Sequence, residues 1–222
     1  RRASEWADLL AQGEADILVH LASPISHNPT DHISGLELAG SYLRSLKILR
    51  IPTVYISSSS ANTDPDSRGL HNETFRPEGL YGMTKAFTEW ALFDLKNAGV
   101  VPNYVALRPS NLYGPNEVFS GNTHIHVIPN LVRKTLLGTD KIEVLGDGSQ
   151  TRPFTYVKDG VRAVLNAIKI VQRGKTIPLA LFHGPQVSIA EVVEHIMKET
   201  GSHAKIIWKK GSHIGVASRD LP

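Results

Sequence analysis

Short apolar runs alternate with longer stretches of helical spacing along the first half of the chain. The longer stretches, residues 33–49 and 81–97, repeat apolar side chains at the interval of a helix face. The short runs have the length of buried strands and lie at residues 15–22, 53–57, 104–107 and 179–182. This alternation of strands and helices predicts an α/β fold, with a parallel sheet covered by helices.

The chain beyond residue 110 has a different texture, with loops rich in glycine, proline and polar residues. Apolar spacing there predicts a strand at residues 142–145 and helices at residues 129–137, 159–171 and 188–200. The last helix should begin with a capping box, because Ser188 is followed three residues later by Glu191.

Composition narrows the function classes. With 222 residues, 41% of them apolar, the chain can bury the core of one domain, or of one domain with a small lobe. The net charge of +3 comes from basic residues scattered among acidic ones, so no nucleic-acid partner is predicted. The sequence has no cysteine and no apolar run as long as a membrane span, and we expect a cytoplasmic protein with no membrane partner.

Candidate chemistry begins with a tyrosine and a lysine four residues apart, Tyr81 and Lys85. On a helix these side chains share a face, so the phenol and the ammonium group can reach one cleft. A fixed cation favours the phenolate and lowers the tyrosine pKa from about 10, which produces a general base for neutral pH. The same spacing also arises by chance, so the pair alone leaves a purely structural interpretation open.

Five motifs follow one another along the chain. They are residues 16–22 (DILVHLA), 57–60 (SSSS), 81–85 (YGMTK), 108–115 (RPSNLYGP) and 146–159 (GDGSQTRPFTYVKD). In this order they resemble the extended short-chain dehydrogenase/reductase superfamily, and within it the NAD-dependent epimerases and dehydratases of nucleotide sugars. The resemblance extends from about residue 15 to residue 200.

The resemblance implies a Rossmann-like doubly wound parallel sheet whose N-terminal part is missing, with a small C-terminal substrate-binding lobe. Residues 1–110 would form the partial NAD-binding domain, and residues 111–222 mainly the lobe. The strand near residues 179–183 would return to the sheet. Dimerisation through the helix that bears Tyr81 and the helix before it is the habit of the family, so a homodimer is expected.

The catalytic residues implied by the resemblance are Ser58, Tyr81 and Lys85. Tyr81 would act as the base, and Lys85 would also bind the nicotinamide ribose. Ser58 occupies the position of the catalytic serine or threonine, with Ser59 as the second choice. A serine run after a strand is otherwise often no more than a solvated turn.

NAD is the implied cofactor, with NADP left open. The residues expected to contact it are Leu21, Ala22, Ser57, Tyr81, Lys85, Pro109 and Ser110. The implied substrate is a nucleotide sugar, and the residues expected to contact it are Ser59, Asn111, Val127, Arg152 and Asp220.

Some of these residues have simpler interpretations. Arg152 would bind the diphosphate, because a guanidinium group matches phosphate oxygens, and the less favoured alternative is a surface arginine after a turn. Asn111 would be either a substrate contact or a turn-forming residue. His124 and His126 have the spacing of metal ligands but no carboxylate cluster or cysteine beside them, and His20 is better interpreted as a core residue.

The chain departs from the family pattern in two places. None of its 18 glycines forms a Gly-x-Gly-x-x-Gly fingerprint, and its first strand resembles the fourth of the family, so we expect a fragment of a longer enzyme. Ser59 and Ser60 follow Ser58 where the dehydratases and decarboxylases carry acidic residues, which disfavours both of those reactions.

The expected activity is therefore NAD-dependent epimerisation of a nucleotide-activated sugar through transient oxidation at C4. The first alternative is an NAD(P)-dependent nucleotide-sugar reductase or dehydrogenase. The second alternative is a non-catalytic protein that binds sugar nucleotides and lacks the dinucleotide loop.

Overall fold

The computed structural model describes residues 15–24, 29–61, 77, 79–117 and 126–209. Its helices are α1 (Pro29–Leu49), α2 (Gly79–Asn97), α3 (Val127–Leu136), α4 (Val157–Gln172) and α5 (Ile189–Thr200). Its strands are β1 (Leu18–His20), β2 (Thr53–Ile56), β3 (Tyr104–Pro109), β4 (Asn111–Tyr113), β5 (Lys141–Leu145), β6 (Thr151–Tyr156), β7 (Ile177–Phe182), β8 (Gln186–Ser188) and β9 (Lys205–Lys209). A 3-10 helix, Ser59–Ala61, follows β2. These elements confirm the predicted α/β class.

The chain divides into two compact units. The first unit contains the described residues up to Ser110 together with Lys158–Phe182. The second contains Asn111–Val157 and the described residues from His183 onward. The segment that returns to the first unit consists of α4 and β7.

The first unit is built on a four-stranded parallel sheet in the order β1-β2-β3-β7. The central strands β2 and β3 pair without interruption, from Thr53 opposite Tyr104 to Ile56 opposite Leu107. Because all four strands run in one direction, their carboxyl ends lie along the same edge, where open α/β sheets bind ligands.

Both faces of this sheet are covered, since alternate residues of a strand point to opposite faces. Tyr55 and Tyr104 pack with residues of α1 and α2 on one face. Val54 and Val105 pack with residues of α4 on the other. Burial on both sides explains why these strands are continuous apolar runs in the sequence instead of alternating patterns.

The second unit has its own core. The parallel pair β5–β9 packs with apolar residues of α3 and α5, including Leu131, Ile142 and Val193. A further sheet, β4-β6-β8, joins β4 and β6 in parallel and β6 and β8 antiparallel. Helix α5 begins with the predicted capping box, because the backbone N–H of Glu191 donates to Ser188 Oγ and the backbone N–H of Ser188 donates to Glu191 Oε2.

The sequence-based prediction missed several strands and made one strand too long. The stretch described as loops after residue 110 contains the short strands β4, β6 and β8, each formed by pairing between distant segments. Strand β9 is equally non-local, since it pairs with β5. Strand β1 spans only three residues of the apolar run at residues 15–22, and among the described strands it pairs with β2 alone.

Candidate active site

The predicted cofactor residues of the first unit follow the carboxyl ends of three adjacent strands. Leu21 and Ala22 come directly after β1, Ser57 after β2, and Ser110 after β3, which Pro109 ends. The backbone N–H of Ser110 donates to the carbonyl of Phe182 at the end of β7. The fold therefore brings residues from three distant parts of the sequence to one edge of the sheet.

Lys85 is the central cation of this edge. Its side chain is only 5% exposed, and its Nζ donates a hydrogen bond of 2.9 Å to the carbonyl of Ile56. The same nitrogen lies 5.7 Å from the centre of the Tyr81 ring and 5.3 Å from the centre of the Tyr55 ring. The pKa of Lys85 is lowered to about 8. Burial is the larger cause, and the negative charge of Glu89 offsets part of its effect. The predicted pairing of a phenol and an ammonium group on one helix face is present in the structure.

An aromatic stack supports the lysine from the sheet side. The His20 ring stacks on Tyr42 with a centroid distance of 4.2 Å and on Tyr55 with a distance of 5.8 Å. Burial, and secondarily the charge of Lys85, lower the pKa of His20 to about 4, so this ring is neutral at pH 7. A neutral stacked ring agrees with the interpretation of His20 as a core residue.

Thr53 anchors the stack to the backbone. Its hydroxyl donates to the carbonyl of Leu18 over 2.7 Å. Because a hydroxyl has one proton, the 2.7 Å contact with Tyr42 must be a bond that the tyrosine donates. The chain of bonds from Tyr42 through Thr53 to Leu18 fixes the ring on which His20 lies.

A buried ion pair lies one helical turn beyond Lys85. Glu89 and Arg108 form two parallel hydrogen bonds, from Nε at 2.8 Å and from Nη2 at 2.5 Å, and their side chains are 0% and 3% exposed. Sequence reasoning assigned no role to either residue. The signal was nonetheless present, because a charged glutamate lies on the buried face of α2 and a charged arginine lies within the otherwise apolar strand β3.

Ser58 precedes the 3-10 helix, and that helix fixes its orientation. The backbone N–H of Ser60 donates to Ser58 Oγ over 3.2 Å, and the N–H of Ala61 donates to the Ser58 carbonyl. Ser58 is half-buried, whereas Ser59 is only 3% exposed. This difference favours Ser58 over Ser59 as the serine that a substrate can reach.

The side chains at this edge have the chemistry that contacts with a dinucleotide require. Ser57 Oγ is buried at this edge and has no hydrogen-bond partner within the described residues. A small cleft of the first unit is lined by Ser23, Pro24, Gly35, Tyr81, Thr84 and Lys85. Leu21 is 62% exposed and leaves an apolar surface at the end of β1. Hydroxyl and ammonium groups next to an apolar surface match the ribose and ring systems of NAD.

The predicted substrate residues other than Ser59 belong to the second unit, as far as the structure describes them. The amide of Asn111 donates to the carbonyl of Pro153 over 3.1 Å, a bond that holds β4 to β6. Arg152 is half-buried on β6, and its Nη1 donates to the carbonyl of Thr151. Val127 is the first residue of α3 and packs against the core of that unit. Asp220 lies outside the described residues.

Two further findings concern metals and membranes. The described part of the chain contains no group of three or more His, Asp and Glu side chains able to hold a metal ion. His126 instead contacts Glu117 at 2.6 Å, and His124 lies outside the described residues.

Across the described ranges, no helix has both the length and the apolarity needed to cross a membrane.

A parallel sheet with hydroxyl and ammonium side chains at its carboxyl edge is typical of nucleotide-binding α/β proteins. Residues 1–180 match the model of the NAD dependent epimerase/dehydratase family, and the chain belongs to that family. The predicted family and its NAD cofactor are thereby confirmed.

Individual relatives carry several activities. The chain is 32% identical over 174 residues to a dTDP-4-dehydro-6-deoxy-D-allose reductase of Streptomyces bikiniensis, which covers 76% of this chain and 52% of the relative. It is 32% identical over 143 residues to a putative UDP-glucose 4-epimerase of Methanocaldococcus jannaschii, covering 63% of this chain and 43% of the relative. The chain spans about half the length of the curated relatives it matches.

The fold is also shared with solved structures. The UDP-glucose 4-epimerase of Thermotoga maritima, solved with UDP-glucose, superposes with a TM-score of 0.82 at 18% identity. That superposition covers 99% of this chain and 72% of the other. The predicted Rossmann-like sheet is therefore confirmed.

Proposed function

We propose that the protein is an NAD-dependent epimerase of a nucleotide-activated sugar and acts by transient oxidation at C4. The observation that carries the proposal is the buried ammonium group of Lys85, which lies 5.7 Å from the Tyr81 ring and donates to the Ile56 carbonyl at the carboxyl end of β2. Sugar binding alone has no use for a cation buried against a phenol. This argues against the non-catalytic alternative.

The residues of this chain would handle the proton. Tyr81, as the phenolate, accepts the proton of the C4 hydroxyl, and its negative charge is stabilised by the Lys85 ammonium group. The Ser58 hydroxyl donates a hydrogen bond to the C4 oxygen and orients it. NAD, when bound, supplies the acceptor of the C4 hydride and its donor in the return step. Lys85, Ser57 and the exposed end of β1 would hold the cofactor.

The residues next to Ser58 bear on which reaction of the family the site can catalyse. Ser59 and Ser60 are buried in the 3-10 helix and supply no carboxylate. Glu89, on the Lys85 helix, is bound by both of its oxygens to Arg108. Elimination of water requires a second acid, so the site suits an oxidation and reduction at one carbon better than a dehydration.

A reductase is the second candidate, because the Streptomyces relative is named as a dTDP-4-dehydro-6-deoxy-D-allose reductase. The full-length protein should be incubated with UDP-glucose and its dTDP and GDP counterparts, and the products separated by chromatography. Formation of the C4 epimer without net loss of NAD supports the epimerase. Stoichiometric oxidation of NADH or NADPH with a 4-keto sugar would reject the epimerase and support the reductase. Binding of the nucleotide sugar without turnover would favour the non-catalytic protein.

Arg152 is proposed to bind the diphosphate of the substrate. Replacing it by alanine should raise the KM for the nucleotide sugar about tenfold or more, because a charge-assisted bond to phosphate is lost, while NAD affinity stays within twofold. Steady-state kinetics and an NAD titration measure the two effects. Arg133→Ala is the matched control, since Arg133 is an exposed arginine of the same unit. Loss of NAD affinity with an unchanged KM would contradict the assigned role.

We further propose a homodimer formed through α2. Met83, Phe87 and Trp90 are spaced along one face of this helix and are 55%, 57% and 37% exposed. An apolar stripe of this kind is suited to burial by a second copy of the chain. Phe87→Lys should convert a dimer to a monomer in light scattering after size exclusion, whereas Val161→Lys, at an exposed apolar residue of α4, should not. A wild-type monomer would refute the proposal.

The cytoplasm is the proposed location, in agreement with the lack of cysteine in the chain.

A further inference from the structure

Gly82 is a point of close backbone contact between the helix that bears Tyr81 and the turn that bears Ser58. A Cβ atom placed on Gly82 would lie 2.2 Å from the carbonyl oxygen of Ser60 and 3.0 Å from its carbonyl carbon. It would also lie 3.3 Å from the carbonyl carbon of Pro77. These neighbours are backbone atoms, so no side-chain rotation relieves the clash. Helix α2 and the 3-10 helix meet here backbone to backbone.

The backbone conformation gives no other reason for this glycine. Gly82 lies inside α2 and is not among the glycines with a positive φ, so any residue could adopt its conformation. Alanine is also a better helix former than glycine at an internal position. The close contact with Ser60 is therefore the feature that the glycine allows.

The contact joins the two halves of the proposed catalytic set. On the helix, Gly82 directly follows Tyr81 and precedes Lys85 by three residues. On the other side, the N–H of Ser60 donates to Ser58 Oγ, so the residue that Gly82 meets is the one that orients the Ser58 hydroxyl. A change at this contact moves the phenol relative to the hydroxyl.

We propose that Gly82 is a positioning residue that sets the separation of Tyr81 from Ser58. The inference rests on the proposed function of those two residues. A methyl group at Gly82 needs ordinary contact with Ser60, which begins at 3.4 Å, instead of the 2.2 Å available. The helix or the turn must shift by roughly 1 Å, and a misplacement of that size can cost about 10²-fold in rate.

Gly82→Ala in the full-length protein tests the inference, with turnover measured for the nucleotide sugar that the wild type accepts. We expect kcat to fall about 30- to 100-fold while KM and NAD affinity stay within twofold. Rates are expressed per folded enzyme, determined from bound NAD and circular dichroism. Gly40→Ala is the matched control, because Gly40 is a glycine of α1 whose Cβ would meet only the tip of Arg44, at 3.9 Å.

A double-variant cycle separates positioning from a general packing effect. If Gly82 acts through Tyr81, adding Gly82→Ala to Tyr81→Phe should lower the residual rate less than threefold, because the aligned group is already gone. A purely structural effect of Gly82→Ala would instead lower kcat by the same factor in the wild-type enzyme and in the Tyr81→Phe enzyme. That result would overturn the inference. An alanine variant with unchanged kcat, or one that cannot fold, would also overturn it.

The same cycle distinguishes failure of the inference from failure of the proposed function. If Tyr81→Phe retains the wild-type rate, the assignment of Tyr81 is wrong and the inference falls with it. If Tyr81→Phe is inactive and Gly82→Ala is fully active, the proposed function stands and only the role of Gly82 is rejected.

Discussion

Tyr81→Phe is expected to abolish epimerisation, with kcat reduced about 10²- to 10⁴-fold. Phenylalanine keeps the ring that faces Lys85 but removes the oxygen that would accept the C4 proton. Because the ring contact is kept, the affinity for NAD and for the nucleotide sugar should stay within twofold. Steady-state kinetics and equilibrium titration of both ligands measure the result.

Tyr104→Phe provides the matched control for this change. The Tyr104 hydroxyl is buried and has no hydrogen-bond partner in the described part of the chain, so removing it leaves no group unpaired. The stability and the rate of this variant should be near those of the wild type. A Tyr81→Phe enzyme that turns over at the wild-type rate would rule out Tyr81 as the base.

Glu89→Gln is expected to destabilise the fold by about 3–5 kcal/mol, because it leaves the Arg108 guanidinium buried without its counter-charge. For a protein of this length, that loss corresponds to a fall in Tm of roughly 6–20 °C. Urea denaturation followed by circular dichroism measures the free energy of unfolding. An unchanged midpoint would show that the buried pair does not contribute to stability.

An exposed ion pair supplies the control. Glu143 and Lys209 are 3.0 Å apart with side chains 64% and 51% exposed, and Glu143→Gln should cost about 0–1 kcal/mol. The paired replacement of Glu89 by leucine and Arg108 by methionine should recover most of the loss, since no buried charge is left unmatched. Failure of the paired replacement to recover stability would assign the loss to packing.

Much of the site was predictable because its signals are local. The spacing of Tyr81 and Lys85 requires only a helix, and Ser188 and Glu191 form a capping box within a single helical turn. The strands of the first unit were recognisable because both faces of their sheet are buried. Chemistry at the ends of such strands follows from the parallel topology itself.

The rest depends on contacts between distant residues. Strands β4, β6 and β8 exist through pairing with one another, and the three residues of β4 or of β8 alone have no distinctive pattern. The Glu89–Arg108 pair joins a helix to a strand 19 residues away, so its partners were not identifiable by spacing.

The sequence by itself determined the fold class, the family and the identity of the candidate catalytic side chains, since those follow from local period and ordered motifs. Only the tertiary structure decided the environment of Lys85, the burial that keeps His20 neutral and the contact of Gly82 with Ser60. Those features depend on contacts between segments that are distant in the sequence. Because a protein interior is close-packed, even one added methyl group changes the geometry of such a contact.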